Sequence, residues 1–113
     1  MRIVNREEFL KMPQNTVFSK YIPYVFGQLF IKDESIGSDG FDFYYSQIAD
    51  AIDCKSSTDF DDLLDKAKRD STLSLRMDFE GLGRDGCFED DQLFAVFEKE
   101  DVAKLINRLK ECT

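Results

Sequence analysis

The sequence contains no histidine. That absence removes the usual general base near neutral pH, the commonest metal ligand and every His-containing catalytic triad. Proline occurs twice and glycine six times, and no Ser-, Gly- or Pro-rich stretch reads as a linker. No internal repeat is visible. Residues 1–113 are therefore expected to form one domain. Cysteine is scarce and odd in number: Cys54, Cys87 and Cys112 are too widely spaced for a Cys-x-x-Cys zinc or redox pair and fit no disulfide framework. They are expected to be reduced thiols in a cytosol. The first residues, Met-Arg-Ile-Val-Asn-Arg-Glu-Glu, lack the apolar run of a signal peptide. The longest apolar stretch, Tyr21 to Ile31, is broken by Pro23, Gly27 and Gln28 and falls well short of the ~20 residues that span a bilayer. A cytoplasmic chain with no membrane partner is expected.

What the chain does have is acid and aromatic surface. Its 23 Asp and Glu against 15 Lys and Arg give a net charge of −8, which repels phosphate backbones and makes direct nucleic-acid binding an unfavourable role. Apolar residues make up 42% of the chain, with eleven Phe and four Tyr, enough for a packed core.

Capping chemistry announces the first helix. Asn5 can accept from the amides that follow, Glu8 can reach back to it, and Val4 and Phe9 are placed as a hydrophobic staple; a helix over Arg6 to Lys11 follows, and Pro13 ends it. Gln14-Asn15 turn into a strand over Thr16 to Ile22, rich in β-branched and aromatic residues. The stretch Tyr24 to Ile31 is apolar on both alternating sets, Tyr24/Phe26/Phe30 and Val25/Leu29/Ile31, and so predicts a central strand. Turn formers occupy Asp33 to Gly40, and Phe41 to Tyr45 predicts a third strand. Residues Gln47 to Asp53 fit either strand or helix. Thr58 with Asp61 forms a second capping pair ahead of a helix carrying Phe60, Leu63, Leu64 and Ala67 on one face and ending near Arg69.

Beyond it, Leu73, Leu75, Met77 and Phe79 alternate with Thr72, Ser74, Arg76 and Asp78, the pattern of a strand with one wet face. Gly81 to Gly86 form a loop leading to a last strand over Gln92 to Phe97. Val102, Leu105, Ile106 and Leu109 then mark an amphipathic helix, with Glu100 and Asp101 at its positive end and Arg108 and Lys110 at its negative end. The expected fold is α+β: a mainly antiparallel sheet of about five strands with two or three helices packed on one face.

No catalytic, metal or cofactor site emerges. The loop Asp78 to Glu89 has acids at the first, third and twelfth places and Gly at the sixth, as a calcium loop would, but Leu82 takes an oxygen-ligand position and the flanks read as strand. Gly81, Gly83 and Gly86 precede no helix N-terminus that could cradle a phosphate. Acid pairs such as Asp39/Asp42 and Asp78/Glu80 are the expected coincidences of so acidic a chain.

A mixed cationic and aromatic group is more suggestive: Lys20, Tyr21, Tyr24, Lys32, Tyr44, Tyr45, Arg76 and Arg84. Tyrosines with a few cations can stack a base and hold a phosphate, or can anchor a protein partner; the same residues are also ordinary in a sheet. Acidic surface over Asp59 to Asp65 and Glu89 to Asp91 either faces a basic partner or is simply solvated.

Two stretches resemble a known group. Arg6-Glu-Glu-Phe-Leu10, Pro13, Thr16, Ser19-Lys-Tyr21, Pro23 and Phe26-Gly-x-Leu-x-Ile-Lys32, with Arg84-Asp-Gly-x-Phe88 and Asp91-Gln-Leu-Phe-Ala-Val-Phe97, resemble small accessory proteins of tailed bacteriophages and prophages, which have no assigned activity. The resemblance implies a bacterial host cytoplasm and carries over no site residues. Such context suggests a non-enzymatic protein that binds and inhibits a host, for example defence, protein. The alternatives are a sponge that sequesters a small nucleotide signal between Tyr and Lys or Arg, and an acidic nucleic-acid mimic, for which the 15 cations are a dilution. A homodimer is also expected to be open to this chain, because an exposed strand edge or Tyr patch has to be covered.

Overall fold

The computed structural model describes residues 1–37, 40–86 and 89–113. Cys87 and Asp39, which figure in the sequence reading, lie outside the described residues. The fold is α+β, and the described residues form, in chain order, β1 (Arg2–Val4), α1 (Arg6–Leu10), β2 (Thr16–Ile22), β3 (Val25–Phe26), β4 (Phe30–Ile36), β5 (Asp42–Gln47), α2 (Ser57–Arg69), β6 (Gly83–Arg84), β7 (Leu93–Phe97) and α3 (Lys99–Lys110). The strands make an antiparallel sheet in the order β1-β7-β2-β4-β5-β6, with β3 attached to β2.

The helix starts follow local chemistry. The Asn5 side chain accepts from the Glu8 amide at 2.9 Å, and both staple residues, Val4 and Phe9, enter the core. For α2 the cap is Ser56, accepting from the Asp59 amide at 3.1 Å, rather than Thr58. The serine comes first in the chain, and with Asp59 reaching back to the Lys55 amide at 2.8 Å it starts the helix before Thr58 can.

Val4, Phe9, Phe18, Phe43, Phe94 and Val96 form the core. Phe9 stacks on Phe94 at 4.0 Å between centroids and meets Phe18 and Phe43 edge-on at 4.6 and 5.0 Å. The deepest helical contribution to this aromatic cluster thus comes from the five-residue α1, whereas neither α2 nor α3 fully buries a residue. The longer amphipathic helices had the clearer periodicity, but periodicity reports a face, not its depth.

Two bulges correct the strand assignments. The Tyr24 to Ile31 stretch does run along β2, but not as one regular strand. Tyr21 faces Phe26, while Phe18 faces Phe30, so one extra residue is accommodated between them. The inserted residue reverses the alternation: Phe26 faces outward and is half exposed, whereas Phe30 packs on the core. Gly27 sits at the irregularity, its amide donating to the Lys20 carbonyl at 2.9 Å. The second bulge falls between Lys32 and Ser35, so Asp33 and Glu34, read as turn formers, lie inside β4. Of the stretch Asp33 to Gly40, only its end turns, at Gly37 and Gly40, both with positive φ.

Between Gln47 and Asp53 the chain is neither helix nor continued strand beyond Gln47. It contributes one bridge, Ile52 opposite Met77. That bridge is also all that the alternating Leu73 to Phe79 segment contributes to β structure. Its period of two was clear, but β6 occupies the edge of β5. β1, too short to show a period, had no sequence signal.

Candidate functional site

Of the eight cationic and aromatic candidates, Lys20 and Arg84 are committed to a buried charge network. Asp85 pairs with Arg6 Nη1 through Oδ2 at 3.1 Å and with Lys20 Nζ through Oδ1 at 2.7 Å. Arg6 also donates to the Phe41 carbonyl at 2.6 Å and lies 5.7 Å from the Phe43 ring. One residue earlier, Arg84 donates from Nε to Asp42 Oδ2, while Asp42 Oδ1 accepts from the Phe43 and Gly86 amides, each at 2.9 Å. Burial pushes the Asp42 carboxyl upward, but the Arg84 hydrogen bond, the two amides and the Arg84 charge outweigh it and hold its pKa below the usual value. The network pins residues 84–86 against β5 and α1. Its central cation, Arg6, carried no sequence signal beyond its place at the start of a helix.

Lys32 is more deeply removed from solvent. It is 2% exposed, its Nζ donates to the Asp33 carbonyl at 2.9 Å and lies 5.9 Å from the Phe9 ring centroid. Burial lowers its pKa, only partly offset by Asp33. Tyr45 packs edge-on to Phe30 at 5.0 Å and lies over Gly83, where an added Cβ would stand 2.9 Å from the ring. Tyr44 is partly exposed on β5, and the exposed Arg76 guanidinium approaches Asp53 at 3.9 Å.

Two cross-strand pairs form among them, Lys32 with Tyr45 and Tyr44 with Arg84, but the eight do not gather on one pocket. Tyr45 lines a cavity of about 290 Å³ with Gln47, Ile52, Cys54, Asp78 and Leu82, which holds none of the candidate cations. A cleft of about 580 Å³ between α1 and the Gly40-Phe41 turn contains none of the eight. Its Arg6 is already spent on Asp85 and Phe41, and Glu7 and Asp90 stand beside it. Only Tyr44 and Arg84 keep partly exposed side chains beside one another, at the sheet edge and outside both cavities.

Tyr21 and Tyr24 remain, and they belong to a different kind of site. Ile22 pairs with Val25, so Pro23 and Tyr24 form a two-residue hairpin loop. Tyr24 has φ +70°; proline followed by a residue with positive φ is the pattern of a type II turn, in which glycine is expected second. Two-residue hairpins also favour the mirror-image turns that match strand twist. The loop therefore breaks two local rules with one bulky residue. The Tyr21 hydroxyl accepts from the Tyr24 amide at 2.9 Å and holds the turn, and the Tyr21 ring meets Phe26 at 5.1 Å.

Around the turn lies apolar surface. Tyr24 is 93% exposed, and Ile22, Val25 and Phe26 are half or more exposed. On the other side of β2, Leu93 faces Tyr21 and the Gln92 side chain donates to the Tyr21 carbonyl at 3.2 Å. The Glu89-Asp90-Asp91 segment, which leads into β7, thus runs beside the hairpin base. No family model, curated protein or solved structure matches the chain.

Proposed function

We propose that the protein acts by binding, without catalysis, and that the β2–β3 hairpin is the contact by which it engages and inhibits a host bacterial protein. The reading rests on Tyr24: a large aromatic side chain, almost wholly in water, held in a left-handed conformation that glycine would adopt at no cost. Strain at an exposed aromatic serves no packing purpose within the chain. Ile22, Val25 and Phe26 extend it into an apolar anchor, and tyrosine is among the residues that carry binding energy at the centre of interfaces. The acidic segment at its base suits a partner with a basic rim. The viral context comes from the resemblance of the sequence to phage accessory proteins.

Tyr24→Gly tests this. The variant should be more stable than the parent by about 1 kcal/mol, through release of the left-handed strain, while a stoichiometric partner retained from bacterial lysate by the parent is lost. Retention of the same partner by parent and variant alike would refute the hairpin contact.

A further inference from the structure

Residues 73–79 combine a strong strand pattern with an incomplete sheet. The Asp53 amide donates to the Arg76 carbonyl at 2.8 Å, and the Asp78 amide donates to the Ala51 carbonyl at 2.7 Å, on either side of the Ile52–Met77 bridge. Residues 76 and 78 therefore point their main-chain groups toward residues 51–53. By the alternation of an antiparallel ladder, Leu75, Met77 and Phe79 direct theirs to the opposite edge. Among the described residues, no main-chain hydrogen bond reaches those three. Leu73, Met77 and Phe79 are also 40–55% exposed. This is an open, apolar strand edge of the kind that natural proteins cover or blunt.

We propose that a second copy of this chain covers it, in a two-fold antiparallel pair centred on Met77. The local sequence is self-complementary in that register. Met77 meets Met77 and Leu75 meets Phe79 in hydrogen-bonded pairs, each exchanging both main-chain bonds along the open edge. Arg76 of each copy then meets Asp78 of the other, twice by symmetry, on the opposite face. An isologous contact requires this reciprocity, and a one-residue shift of register would lose it. Arg76 is available for the exchange: its contact with Asp53 is long, at 3.9 Å, and its side chain is 84% exposed. The pairing also accounts for a clear period-two segment that, among the described residues, pairs within its own chain only at the Ile52–Met77 bridge.

Sedimentation of the full chain over a concentration series tests the proposal, with twice 13.1 kDa expected at high concentration. Asp78→Arg and Arg76→Asp each bring like charges face to face and should weaken the dimer by roughly tenfold or more. The double exchange, Arg76→Asp with Asp78→Arg, should restore it, an outcome that loss of folding in either single variant cannot mimic. Met77→Cys should give an oxidative crosslink mapped to position 77 in both chains, because the central pair brings its Cα atoms to about 5.5 Å, within disulfide reach. Leu75→Cys, which faces Phe79, should not crosslink to itself. A monomer at every concentration would overturn the proposal. So would a dimer indifferent to the charge variants, or an edge occupied by a strand of a different protein.

Discussion

Tyr24 and Lys32 each break an elementary preference, and they do so in opposite surroundings. Asn15 has almost the same backbone angle as Tyr24, φ +67°, but asparagine tolerates the left-handed region, and its amide donates to the Lys32 carbonyl at 2.8 Å, so nothing beyond the turn is needed to explain it. Lys32 lies on the core face beside Phe9, with one carbonyl for its ammonium and no carboxylate within ion-pair distance among the described residues. Replacing a buried charge that has so little compensation by an apolar chain of similar length should stabilise the fold. Lys32→Met is expected to raise unfolding stability by about 1–2 kcal/mol near neutral pH.

The sign of the pH dependence follows from its lowered pKa. Below the folded-state pKa the amine is charged in both states, and the cost of burial is fully present. Between that value and the ordinary lysine value of 10.5 the unfolded chain binds more protons, so stability rises with pH. Chemical denaturation of parent and variant across the alkaline range should therefore show the gap closing as 10.5 is approached; a constant gap would mean that Lys32 is not desolvated. Ser19 offers a simpler case. Among the described residues its buried Oγ has no hydrogen-bond partner, so Ser19→Ala should leave stability unchanged or slightly raised in thermal unfolding.

Within the sheet, residues 84–86 act as a clasp. Asp85→Ala would leave Arg6 buried beside Phe43 without its carboxylate, at a cost of about 3–5 kcal/mol, and thermal unfolding should show this as a large drop in Tm. Asp42 adds a dependence on acid. Its folded pKa lies below the ordinary aspartate value of 3.8, so its contribution is complete above 3.8 and is lost as pH falls through the lower folded value. An Asp42→Asn variant should lose that part of the acid sensitivity in a pH series of unfolding curves. Gly83→Ala should disturb the same edge, because its Cβ would meet the Tyr45 ring at 2.9 Å. A change in near-ultraviolet circular dichroism from the displaced tyrosine would report it.

These elements show why some of the fold was legible and some was not. The β2 strand, the Asn5 cap and staple, and the α3 helix with its charged ends were readable because each depends on residues within a turn or two of one another. The two bulges were not, since an extra residue is defined only against the strand it faces. Without its insertion, Phe26 and Phe30 would share a face, and the alternation in the sequence places them so.

Over the whole molecule, the net charge of −8 affects both proposed contacts. Two copies repel each other at long range, and salt screens that repulsion beyond about 10 Å at 0.1 M. Dimerisation should therefore strengthen from very low to moderate ionic strength, as sedimentation at fixed protein concentration would show; weakening over that range would indicate that the two Arg76–Asp78 pairs outweigh the net charge. A basic-rimmed partner at the hairpin should respond in the opposite direction.

The candidate site divides along the same line as the fold. Composition alone determined that histidine chemistry is absent, that the surface is acidic, and that enough aromatic residues exist for a core; local patterns determined most helices and the strand tendency of residues 73–79. Only the tertiary structure decided which cations are occupied, which tyrosines face water and which strand lacks a partner. Lys20, Lys32 and Arg84 look alike as charges in a sequence, yet Asp85, the aromatic core and Asp42 consume them. The reason is physical: residue type and spacing set a side chain's chemistry and its local conformation, whereas its exposure and its partners depend on residues that the chain brings together from far apart.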